Sequence, residues 1–268
     1  MTGPGRKWRA LAVVAAAGCG LVVVALIGTQ EGSSVPRAGA EDQLLLPVPV
    51  KPAFDVPTPR PLSEPAWRSL WAPVIRPVVA REKPTLAARP VARLEQRTPE
   101  GTANVVLVLG RAEDASGRLW VRVRLAILPN SSVGWVPRRS LGGYVPIGSH
   151  LVVDLDGLTA TLLVRGRSVF QAPVGVGTPA APTPTGEFYV RNRVTSYRSA
   201  FYGPIAFGTS ARSAVLTDWP AGGFIGIHGT DRPELVPGRV SHGCIRMRNG
   251  DILRLARLMP VGTPITIR

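Results

Sequence analysis

The chain has 268 residues, with 32 Lys and Arg against 17 Asp and Glu, a formal charge of +15. Its two cysteines, Cys19 and Cys244, are too few for a disulfide framework or a cysteine-rich zinc fold. Of 27 prolines, 13 fall between Pro36 and Pro99, so the excess marks one segment and not a wholly disordered chain. The positive balance leaves nucleic acid, an anionic membrane or an acidic polymer as partner classes.

Arg6, Lys7 and Arg9 precede an uncharged apolar run from Ala10 to Ile27. Its length lies at the border between a signal peptide and a spanning helix. Basic residues before it predict a cytoplasmic tail over 1–9 and export of everything after 27. Segment 10–27 is therefore a signal anchor or a signal peptide, with Ala38, Gly39 and Ala40 offering a small-x-small cleavage site. Cys19 lies inside the run and is followed by more apolar residues, which fits a membrane helix better than a lipidation site.

Over 28–101 prolines recur too often for a helix or a central strand. That predicts a semi-extended linker, which at about 3.1 Å per residue reaches as far as ~200 Å from the membrane. A short helical turn fits 84–99. Texture changes near Ala103: the apolar, β-branched runs at 104–110 and 119–128, and the Gly134-Trp135-Val136 stretch, predict short strands of a small β-module over 102–143. The pattern WVRVRL…PNSSVGWVP (120–137) resembles bacterial SH3-like barrels.

Region 144–268 reads as a larger, mainly β domain. Strands are expected at 150–156, 159–166, 168–177, 186–194, 222–229 and 263–267, with Asp156-Gly157 and Arg165-Gly166 as turns. One helix is expected after Asn249, its presumed cap. Ile252, Leu255, Ala256 and Met259 fall at helical spacing before Pro260 stops it. About 125 residues suffice for a core.

Two of the three histidines lie within sixteen residues of Cys244, the one cysteine after the apolar run: His228, then Ser241-His242-Gly243-Cys244. An imidazole beside a thiol favours the nucleophilic thiolate. Placed on a strand, His242 and Cys244 at i and i+2 would point the same way. Gly243 would let backbone amides approach a developing oxyanion.

On these residues, with VGVGTPAAPTPTGEFYV (174–190) and Ile245-Arg246, the stretch from Tyr144 to Arg268 resembles the L,D-transpeptidase (YkuD-type) catalytic domain. The resemblance implies a β-sandwich with one short C-terminal helix, preceded by the SH3-like barrel and the N-terminal helix. It implies that Cys244 attacks a peptidoglycan tetrapeptide stem and that His228, oriented by the Gly229 carbonyl, is its base. Ser241 and His242 would shape the site, and the Gly243 and Cys244 amides would hold the oxyanion. D-Alanine would leave, and a second stem's amine would resolve the thioester into a 3→3 crosslink. Arg246 stands where other members carry Asn and can grip a carboxylate. Tyr202 and Trp219 are candidates for the donor groove.

The resemblance implies no cofactor, a monomer, peptidoglycan stems and the membrane as partners, and an extracytoplasmic location. Four other readings are weaker. Zinc would have His228, His242 and Cys244 as three ligands, with His150 the one further histidine; His150 reads as an ordinary surface residue. A wall-binding scaffold or an L,D-carboxypeptidase could use the same parts. A nucleic-acid role conflicts with the export signal and with scattered charge; Arg239, Arg248, Arg254 and Arg257 read as a solvated face.

Overall fold

The computed structural model describes residues 67–195, 199–216 and 223–268. The expected tail, apolar segment and the first part of the linker, through residue 66, lie outside the described residues, as does Trp219.

Two sheets organise the described chain. The first contains β1 (Ser69–Pro73), β2 (Val78–Arg81), β3 (Pro90–Leu94), β4 (Val105–Glu113), β5 (Leu119–Arg124), β6 (Val133–Pro137) and β7 (Val145–Ile147). Its order is β3-β2-β6-β5-β4-β1-β7, with every pairing antiparallel. The linker expected over 28–101 therefore stops short. Three strands of this module come from it, and the module runs from Ser69 to Ile147 instead of 102–143. The proline argument failed because Pro73 closes β1 and Pro90 opens β3, strand ends where a missing N–H is tolerated. The helical turn expected over 84–99 is instead the β2–β3 connection followed by β3 itself.

The second sheet takes in β8 (Ser149–Asp154), β9 (Thr159–Val164), β10 (Arg167–Pro173), β11 (Gly175–Gly177), β12 (Gly186–Val194) and β13 (Ala206–Arg212). It continues with β14 (Phe224–His228), β15 (Gly238–Ser241), β16 (Ile245–Arg246) and, after helix α1 (Asn249–Leu258), β17 (Pro264–Ile267). The order is β10-β9-β8-β17-β12-β13-β14-β16-β11-β15. Strand β13 was not foreseen; its AFGTSAR stretch is short of branched and aromatic residues. The turn at Arg165-Gly166 holds φ values of 52° and 78°, the left-handed pair a tight hairpin requires.

One core serves this sheet from end to end. Leu151, Leu162 and Phe170 from the β8–β10 edge pack in the same cluster as Ile225, Ile227 and Ile245 from the far side. The sheet therefore closes over itself like a sandwich, and each fully buried Leu, Ile or Phe contributes about 1.5–3 kcal/mol. Helix α1 seals one side through Ile252 and Leu255, with Met259 just past its end. Arg248, not Asn249, stands at its cap position, and no side chain caps it. His150 is half-buried, with Nε2 at 2.8 Å from Thr266 Oγ1, and not an ordinary surface group.

Polar contacts join the two sheets close to β14. Arg191 of β12 pairs with Glu100 at 3.0 Å, Tyr189 Oη donates to the Val105 carbonyl, and Asn130 brackets the Arg212 backbone.

Candidate active site

Strand β14 builds one wall of the site by simple alternation. Ile225 and Ile227 point into the core, so Phe224, Gly226 and His228 face the other way. β16 lies parallel beside it, with His228 opposite Arg246. Cys244, immediately before β16, accepts the Gly226 N–H on its Sγ at 3.4 Å. Gly226 has no side chain to fill the gap. A Cβ there would lie 3.9 Å from Cys244 Sγ and 3.7 Å from His228 Cδ2, so thiol and imidazole border one space.

His228 is 1 % exposed, and its Nδ1 lies 2.6 Å from the Gly229 carbonyl. A carbonyl only accepts, so Nδ1 carries the ring proton and Nε2 presents a lone pair. Nε2 has no hydrogen-bond partner. Burial pushes the imidazole down to about 4, Arg246 adds to this, and the Gly229 carbonyl opposes it. Burial also pushes the Cys244 thiol up, against the Gly226 N–H and the Arg246 charge. At neutral pH the pair is therefore a thiol and a neutral imidazole, not a preformed ion pair.

Cys244 is presented by a tight turn. His242, Gly243 and Cys244 lie between β15 and β16 and not on a strand, so the i, i+2 argument does not apply. Gly243 has φ +111°, and a Cβ there would meet Ile225 Cδ1 at 2.9 Å. Ser241 Oγ ties the turn, accepting the Gly243 N–H at 3.0 Å and donating to the Cys244 carbonyl at 2.6 Å. The Gly243 amide is thus already committed to Ser241, which corrects the expectation that it faces an oxyanion. Thr183 supports the turn from β11's side: its hydroxyl accepts the Gly177 N–H and donates to the Gly243 carbonyl, both at 2.8 Å.

The cleft above Cys244 is lined by Phe201, Tyr202, Phe224, His228, His242, Arg246 and neighbours. Tyr202 meets the His228 ring edge-on at 4.9 Å between centroids. The Arg246 guanidinium lies 4.5 Å from the Phe201 ring centroid, and its buried Nε lacks a hydrogen-bond partner. Among the described residues no Asp or Glu lines this cleft, and Arg246 brings a positive charge to it. Among the described residues no three His, Cys, Asp or Glu side chains gather where a metal could sit.

The expected residues Cys244, His228, Gly229, Ser241, His242, Gly243, Arg246 and Tyr202 thus converge on one place. Sequence reasoning missed Thr183, Gly226, Phe201 and Phe224. Spacing along the chain carries no signal for residues recruited from separate strands, although the bare glycine in Phe224–His228 was a hint.

Residues 148–267 match the YkuD family model, described as the L,D-transpeptidase catalytic domain. YkuD of Bacillus subtilis is 38 % identical over 118 residues, covering 44 % of this chain and 65 % of that protein. YkuD of Bacillus licheniformis is also 38 % identical over 118 residues, covering 64 % of its length. The match thus reaches just under two thirds of each. The NMR structure of the catalytic domain from the E. faecium L,D-transpeptidase is 25 % identical over 45 % of this chain and 96 % of that one, with a TM-score of 0.35.

Proposed function

We propose, from the match of residues 148–267 to the L,D-transpeptidase catalytic-domain family model, that this chain is a cysteine acyltransferase acting on peptidoglycan tetrapeptide stems. The observation that carries the reading is the unpartnered Nε2 of His228 in the cleft where Cys244 presents its thiol. Cys244 Sγ attacks the carbonyl between the third and fourth stem residues while its proton passes to His228 Nε2. The tetrahedral intermediate collapses and D-alanine leaves, taking the proton back from the imidazolium. An amine of a second stem then attacks the thioester, its proton goes to His228, and the thiolate departs to be reprotonated. The product is a 3→3 crosslink.

The Gly229 carbonyl supports this cycle by strengthening the Nδ1–H bond whenever the ring becomes cationic. With the Gly243 amide held by Ser241, the Cys244 amide is the remaining oxyanion donor of the expected pair. Arg246 is suited to a stem carboxylate, since an ion there would meet a desolvated guanidinium. The basic residues and apolar run over 1–27 support an exported, membrane-associated location beside such a substrate.

The test is intact-protein mass spectrometry of the full chain with a tetrapeptide stem or a carbapenem. Wild type gains a covalent adduct on Cys244, and Cys244→Ala gains none. A folded wild type that stays unmodified by both reagents refutes the reading.

A further inference from the structure

We propose that Asn249 is a positioning residue for His228, acting through the peptide that joins Gly229 to Thr230. Asn249 Oδ1 accepts the Thr230 N–H at 3.0 Å. The carbonyl of that same peptide unit, Gly229 C=O, takes the Nδ1–H of His228 at 2.6 Å. The three groups form one chain: carboxamide oxygen, peptide N–H and C=O, imidazole N–H. Hydrogen bonds in such a chain polarise one another, so the Asn249 contact makes the Gly229 oxygen a stronger acceptor.

The surroundings fix this peptide from both sides. A Cβ on Gly229 would overlap Asn249 Oδ1 and come within 3.0 Å of Gly203 Cα. Gly203, at φ +63°, directly follows Tyr202, whose ring abuts His228. The Asn249 oxygen therefore occupies the junction of the His228 strand, the Tyr202 turn and the start of α1. Without the oxygen, the peptide is free to tilt and the imidazole swings with it. The side chain gives no cap to its own helix, so helix capping does not explain it. The other groups facing His228, Arg246 from β16 and Tyr202 from the 200–202 turn, are untouched by changes at 249.

The proposal rests on the catalytic reading for its kinetic consequence but not for its spectroscopic one. The full-length protein in detergent, with Asn249→Ala and Asn249→Asp, is compared in two assays. In proton–nitrogen NMR, Asn249→Ala moves the His228 Nδ1–H proton upfield and Asn249→Asp moves it back or further downfield. An Asp carboxylate still accepts the Thr230 N–H and suits the first turn of a helix. Acylation of Cys244 by a carbapenem slows about five- to tenfold in Asn249→Ala, the value of one hydrogen bond, and recovers in Asn249→Asp. Reversible binding before acylation stays unchanged. Unaltered Nδ1–H resonances in both variants overturn the proposal, as does an Asp variant that restores neither signal nor rate. If wild type shows no adduct, the catalytic reading fails and the resonance alone decides the role of Asn249.

Discussion

Replacing Thr183 by Val keeps the β-branched shape and removes a single hydroxyl that ties Gly177 to Gly243. Thr183 is 4 % exposed, and its Oγ1 bonds to the Gly177 N–H and the Gly243 carbonyl. Both backbone groups belong to buried residues, and the substitution leaves both without a partner. A buried polar group so orphaned costs about 1–3 kcal/mol, so after partial relaxation the pair costs about 2–4 kcal/mol. That is a large share of the ~5–15 kcal/mol by which domains are stable. At about 2–4 °C per kcal/mol for a unit of this size, the melting temperature falls by about 4–16 °C. Urea unfolding of the full chain measures the loss as a lower midpoint at unchanged slope. Thr183→Ser keeps both bonds and loses only about 1 kcal/mol for its methyl. Acylation of Cys244 also slows in the Val variant, because the Gly243 carbonyl no longer anchors the turn. A Val variant within about 0.5 kcal/mol of wild type refutes the reasoning.

Two further outcomes follow from buried charge. Glu100→Ala leaves the Arg191 guanidinium, 2 % exposed, without its carboxylate. The cost is about 3 kcal/mol, the low end for a buried pair because Glu100 keeps some solvent contact. Arg191 also stacks on Phe224 at 3.7 Å, so the cleft wall loosens and apparent affinity for the donor drops, measurable as a raised KM. An unchanged midpoint and KM would sink this reading. Stability also depends on pH through His228. The folded protein keeps the ring neutral down to about pH 4, whereas the unfolded chain binds a proton near 6.5. The unfolded state therefore holds more protons in that window, and stability falls by about 3 kcal/mol as pH drops through it. His228→Gln removes this component, so pH-dependent unfolding curves of variant and wild type that run parallel between pH 6.5 and 4 contradict the burial account.

The sequence was most legible where one chemical requirement sits in a few adjacent residues. Ser241-His242-Gly243-Cys244 and an upstream histidine announced thiol chemistry because a nucleophile and its base need particular atoms, whatever the surroundings. Strand-like runs between turn residues revealed β8, β9, β12, β14 and β17; of these, β8 and β17 alternate between core and exterior, while β12 is buried along its middle on both faces. The proline-rich stretch misled, since proline forbids an interior ladder position but not the end of a strand, and β1 and β3 carry it there. Asn249 misled in another way: a local cap motif and a long-range acceptor look identical until the partner, Thr230, is known.

By itself, then, the sequence determined the candidate thiol and imidazoles, the period of the strands and the basic, apolar start of the chain, because these are fixed by residue type and spacing. The tertiary structure decided which backbone groups those atoms meet. It committed the Gly243 amide to Ser241, put Gly226 opposite the thiol and set Thr183 beneath the turn. It also stripped water from His228 so that its ring stays neutral. Such contacts join residues up to 60 positions apart, as between Thr183 and Gly243, and only packing brings them within reach.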